Sequence, residues 1–77
     1  MKQKNTLVNS LKTIFKKELK INVQSKSKIY DFESWDSLAN FNILLACEKK
    51  FKIKFTAKEF NSINSFKGIL KVVKKKL

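Results

Sequence analysis

The chain has 77 residues with 18 Lys and no Arg, six acids, no His, one Cys, one Gly and no Pro, for a formal net charge of +12. The missing His excludes Ser-His-Asp and Cys-His nucleophile pairs, one Cys allows neither an internal disulfide nor a Cys-rich metal site, and one Gly cannot build a glycine-rich phosphate cradle. Catalysis by side chains and a resident metal are therefore not expected, which leaves a binding function or chemistry that is attached to the chain.

The size fits one domain spanning 1–77, in which a little over half of the unfolded surface is buried. A hydrophobic fraction of 43% with seven Phe supplies one core, and no stretch approaches the roughly 18 consecutive apolar residues of a membrane span. The opening Met1-Lys-Gln-Lys-Asn5 has basic residues but no apolar run behind them, so a cytoplasmic location is expected.

Leu7, Leu11, Ile14, Phe15 and Leu19 line one helical face, which predicts a first helix to about Leu19. From Lys20 to Trp35 single apolar residues alternate with Ser, Asn and Lys, as in a long loop pinned by a few buried side chains, and a loop of that length in a small domain is usually functional. Asp36 is a good N-cap for a second helix beginning at Asp36 or Ser37. Leu38, Phe41, Leu44, Leu45 and Phe51 form its expected core stripe, widened by Ile43 and by a buried, inert Cys47.

Lys52-Ile-Lys-Phe55 alternates like a strand, but one such piece has no partner, so it reads as a connector whose Ile53 and Phe55 close the core. Thr56 and Glu59 have capping-box spacing for a short third helix from Ala57. Ser65 caps a fourth, with Phe66, Ile69, Leu70 and Val73 inward and Lys74, Lys75 and Lys76 at its end. The fold class is thus all-α: a four-helix bundle with a long first loop and a short third helix.

The charge is unevenly placed. Residues 1–28 hold eight Lys and one acid, residues 29–48 hold four acids and no Lys, and residues 49–77 hold ten Lys and one acid. A basic domain suggests nucleic acid or an anionic membrane surface, and a basic helical module of that kind is the alternative reading from another class. The absence of Arg, the side chain best suited to guanine edges, makes sequence-specific nucleic-acid binding unexpected.

Asp36-Ser37-Leu38 opening the second helix, with Phe32 and Trp35 before it, Glu48-Lys-Lys-Phe-Lys-Ile-Lys-Phe55 after it and Thr56 with Glu59 later, resembles the acyl carrier proteins over about Leu7 to Val73. The resemblance implies a carrier, not an enzyme: Ser37 would be esterified by 4′-phosphopantetheine, whose terminal thiol holds an acyl group, with Asp36 and Leu38 beside it. In that family the aspartate helps to position the serine, and a metal, for the attaching enzyme. The implied partners are a phosphopantetheinyl transferase and acyl-loading and transferring enzymes acting on a monomer, and an aminoacyl or peptidyl carrier is the alternative within the class. Partners of the family grip the acidic side of the second helix. Asp31, Glu33, Asn42, Glu48, Lys49 and Lys50 are the corresponding candidate contacts, an acidic island whose far end is inverted to lysine. Fatty-acid synthesis members commonly carry a small residue, usually Gly, two before the aspartate; here Ser34 and Trp35 precede Asp36, and Trp-Asp-Ser-Leu is more like the stand-alone carriers of specialised pathways.

Overall fold

The computed structural model describes residues 2–77, with side chains from Leu7 onward. The basic opening read above for a leader has its side chains outside this described part. Four helices follow in order: α1 (Lys2–Leu19), α2 (Ser37–Phe51), α3 (Ala57–Ser62) and α4 (Phe66–Lys76). α1 packs on α2, and both touch α4.

Each helix boundary has a local cause. α1 stops at Lys20, whose backbone is left-handed (φ 59°) and whose N–H closes on the Lys16 carbonyl at 2.9 Å. Asp36 caps α2 by accepting the Ala39 N–H at 2.9 Å. Both arms of the capping box at α3 are made, Glu59 N–H to Thr56 Oγ1 at 3.1 Å and Thr56 N–H to Glu59 Oε1 at 2.8 Å. At α4, Ser65 Oγ accepts the Gly68 N–H at 3.0 Å, and a Cβ at Gly68 would itself lie 3.0 Å from that oxygen. The single glycine therefore makes room for a cap inside a helix, not for a turn.

The core sits where α1, α2 and α4 converge. Leu11, Phe15, Ile43, Leu44, Cys47, Phe66, Ile69 and Val73 are fully buried, as is Trp35 from the loop. Phe15 meets Trp35 edge-to-face at 4.7 Å and Phe66 at 5.9 Å between ring centroids. Ring pairs of this geometry add about 0.5–1.5 kcal/mol to the area they bury. Ile53 and Phe55 are buried, and the connector that holds them forms no strand.

The long loop is ordered by hydrogen bonds, not by periodic structure. Ser27 and Ile29 pair with the α3–α4 junction around a single antiparallel bridge, Lys28 to Ser65. Ile29 N–H reaches the Asn64 carbonyl at 2.9 Å, and Phe66 N–H reaches the Ser27 carbonyl at 3.0 Å. Trp35 donates its indole N–H to Asn40 Oδ1 at 3.0 Å, while Asn40 Nδ2 donates to the Ile63 carbonyl at 2.8 Å. Among the described residues Asn40 is one of two buried polar ones, and it joins the loop, the second helix and the α3–α4 junction.

One sequence expectation is corrected here. Leu38, Phe41 and Leu45 are not core: they are 70%, 45% and 41% exposed. The buried face of α2 is Ala39, Asn40, Ile43, Leu44 and Cys47, which at 100° per residue points largely away from them. α2 is apolar on both faces, and burying Asn40 with Trp35 decides which face turns inward.

Candidate functional site

Ser37 is the first residue of α2 and is exposed. The first turn of a helix leaves its N–H groups without helical acceptors. Asp36 takes the Ala39 N–H, and the Asp36 carbonyl takes the Asn40 N–H at 2.8 Å. Among the described residues no protein acceptor meets the Ser37 or Leu38 N–H. The serine thus opens a helix whose first two N–H groups are unpaired and whose dipole is positive at this end, an arrangement worth about 0.3–1 kcal/mol to an anion at a surface site.

The structure gives a site contact to a residue that the sequence counted only among the apolar pins of the long loop. Tyr30 Oη lies 2.7 Å from Ser37 Oγ, within a hydrogen bond that either hydroxyl can donate. Tyr30 itself is 67% exposed, so no packing draws it there. Its backbone is left-handed at φ 74°, which costs a bulky L-residue about 1–2 kcal/mol. Hydrogen bonds hold it in that shape: Tyr30 N–H to the Trp35 carbonyl at 2.7 Å, and Asp31 N–H to the Lys28 carbonyl and Trp35 N–H to the Phe32 carbonyl, each at 3.0 Å. Nothing in hydrophobic periodicity announces a contact made across seven residues by a left-handed turn.

The candidate acids separate in space. Asp31 is engaged locally: its carboxylate accepts the Lys28 N–H at 2.9 Å and the Lys28 ammonium at 3.3 Å. The backbone N–H of Lys28 is the main reason its carboxyl is held below the usual range, with the ammonium assisting. Glu33 is exposed on the same loop. Glu48 is about 16 Å from Ser37 along the axis of α2 at 1.5 Å per residue. It is half-buried and accepts the Phe55 N–H at 2.8 Å, so one oxygen is used to fasten the connector. Asp31 and Glu33 thus lie on the loop that leads into α2 and Asp36 caps it, whereas Glu48 sits three turns further along the helix.

Leu38, Phe41 and Leu45 run from the serine along the outside of α2 as an apolar strip. Phe41 stacks at 4.9 Å on Phe60 of α3, which meets Phe55 at 5.8 Å. On the α1 side an open groove of about 550 Å³ is floored by Ile14, Leu45 and Ala46, and Lys17, Lys49 and Lys50 stand beside it. Asn42 and Glu18 also line this groove, so a neutral candidate contact, Asn42, and the cationic Lys49–Lys50 pair share one surface. Cys47 points the other way into the core, where burial pushes its thiol up to about 12, leaving it neutral and unreactive. Among the described residues no helix is long and apolar enough to cross a membrane.

No protein-family model and no curated protein sequence matches the chain. Among solved structures it is similar to the holo acyl carrier protein of Geobacter metallireducens, determined by solution NMR. The two share 26% identity and a TM-score of 0.79, over 91% of this chain and 84% of that one. The fold is that of an acyl carrier protein, as the pattern around Ser37 led us to expect.

Proposed function

We propose that the chain is an acyl carrier that holds its cargo as a thioester on a 4′-phosphopantetheine arm esterified to Ser37. The observation that carries this reading is an exposed serine at the first residue of α2, in the acyl carrier fold, with the Ser37 and Leu38 N–H groups unpaired among the described residues. The residues present fit the group: Ser37 supplies the oxygen for the ester, and the Ser37 and Leu38 N–H groups are donors for its charge. Asp36 is bound to the Ala39 N–H, so its carboxylate fixes the turn. When attached, the arm supplies a thiol for acyl transfer, and the chain itself contributes placement and recognition.

Recognition follows from the surface beside the serine. Exposed apolar strips rimmed by charge mark protein contacts, and Leu38, Phe41 and Leu45 are such a strip. A transferase approaching Ser37 meets Asp31, Glu33 and Asp36, whereas an enzyme lying along α2 also meets Lys49 and Lys50, with Lys17 across the groove. Partners of this carrier therefore combine a few basic groups near the serine with acids toward the lysines, since like charges facing each other cost both affinity and association rate. A broad-specificity phosphopantetheinyl transferase and coenzyme A test the reading: the intact mass rises by one phosphopantetheine, and Ser37→Ala abolishes the gain. No gain under conditions that modify a control carrier would overturn it. Mass spectrometry of the protein from its own source, with the thioester intact, identifies the cargo and separates an acyl from an aminoacyl carrier.

A further inference from the structure

We infer that Tyr30 is a positioning residue for the arm: its phenol orients the free Ser37 hydroxyl and then donates a hydrogen bond to the phosphodiester, restraining the arm at its root. This rests on Ser37 being the attachment point. Two observations and one general rule carry it. The Tyr30 and Ser37 hydroxyls are 2.7 Å apart at an otherwise solvent-exposed place. The Tyr30 backbone is held left-handed by the turn that also delivers Trp35 to the core. Strained backbone that its surroundings over-determine clusters at functional sites, and here the strained residue touches the serine.

The chemistry gives the bond a direction. While Ser37 is free, either hydroxyl can donate. Once Ser37 Oγ is esterified it has no proton, so the phenol becomes the donor, and the anionic phosphate oxygens beside it are stronger acceptors than the hydroxyl they replace. The two free amides of the α2 first turn lie on the backbone of the same residues, so the phosphate has donors from both the helix and the loop. Lys28, the nearest lysine in sequence, is paired with Asp31 on the same turn, which leaves the phenol as the loop's hydroxyl donor at Ser37.

The chain has one tyrosine, so labelling with [13Cζ]tyrosine gives a single resonance that reports Tyr30 alone. Wild type and Tyr30→Phe are each loaded by a broad-specificity transferase and checked by intact mass, and their folding is compared by urea unfolding. We expect the 13Cζ resonance of wild type to shift on loading, and the 31P resonance of loaded Tyr30→Phe to be displaced and narrower than that of wild type, with similar urea midpoints. If both proteins gain the mass of the arm but the 31P spectra superimpose and the 13Cζ resonance stays in place, Tyr30 does not hold the phosphate and this inference alone falls. If wild type gains no mass while a control carrier does, the carrier reading falls and takes the inference with it.

Discussion

Asn40→Ala should be the most damaging single substitution outside the apolar core. It removes the acceptor of the Trp35 indole N–H and the donor to the Ile63 carbonyl, at 3.0 and 2.8 Å. Trp35 is fully buried and Ile63 nearly so, which leaves two polar groups without partners in a region closed to water. Each such group costs about 1–3 kcal/mol, giving a loss of roughly 2–6 kcal/mol. A 77-residue domain at 0.05–0.15 kcal/mol per residue has about 4–12 kcal/mol in all, so the substitution takes about half of the stability. At 4–8 °C per kcal/mol, a loss in the middle of that range lowers Tm by about 15–30 °C. Urea unfolding followed by Trp35 fluorescence and, independently, by far-UV circular dichroism measures the change. A loss below about 0.5 kcal/mol with an unchanged m value would refute the reasoning, because the two buried partners would then not depend on Asn40.

Lys52 closes α2 in a left-handed conformation (φ 56°, ψ 50°), so Lys52→Gly should stabilise the protein by about 0.5–1 kcal/mol in urea unfolding, and a loss instead would contradict the assignment of strain there. Glu59 is held below its ordinary 4.5, first by the Thr56 N–H and then by the Lys76 ammonium. A folded-state value below the unfolded one gives stability that is present above the unfolded value and lost as the pH falls through the folded one. Glu59→Gln keeps an acceptor for Thr56 but should flatten the fall in Tm below pH 4.5, and an unchanged acid limb would count against the linkage. Lys49→Glu with Lys50→Glu should slow loading by the native partner and quicken loading by enzymes adapted to acidic carriers, both effects fading with salt. Equal rates at low salt would make these lysines irrelevant to partner choice.

Much of the fold can be read from its stop and start signals, because these are local. Asp36, the Thr56–Glu59 pair and Ser65 each satisfy backbone donors within three residues, and all three caps are present. The inward face of α2 could not be read in the same way. Leu38, Phe41 and Leu45 compete with Ile43, Leu44 and Cys47 as apolar stripes of one helix, and the choice is made by Asn40 meeting Ile63 across 23 residues. At the candidate site, Ser37 and Asp36 announce themselves by a short motif, whereas Tyr30 arrives through a left-handed turn built by hydrogen bonds that leave no pattern in composition. Glu48 misleads for a related reason: its charge belongs to the acidic window in the sequence, while its carboxylate belongs to the Phe55 N–H in space.

The way α3 is fastened bears on how the molecule can change shape. Its exit is bolted at three nearby points, the Ile63 carbonyl to Asn40, the Asn64 carbonyl to the Ile29 N–H and the Phe66 N–H to the Ser27 carbonyl. No residue within α3 is buried, and the half-buried ion pair from Glu59 to Lys76 at 3.0 Å ties it to α4. That pair is only partly exposed, at 23% and 27%, and α3 is fastened at its two ends, by Phe55 and by Ile63, more than along its length. An outward displacement of α3 has to bend the chain at both ends, at Phe55–Thr56 and at Ile63–Ser65, and draw Phe60 off Phe41 and Phe55. Because the Ile63–Ser65 end is also anchored to the long loop and to Asn40, strain placed on α3 is passed to the same bonds that hold Trp35 in the core.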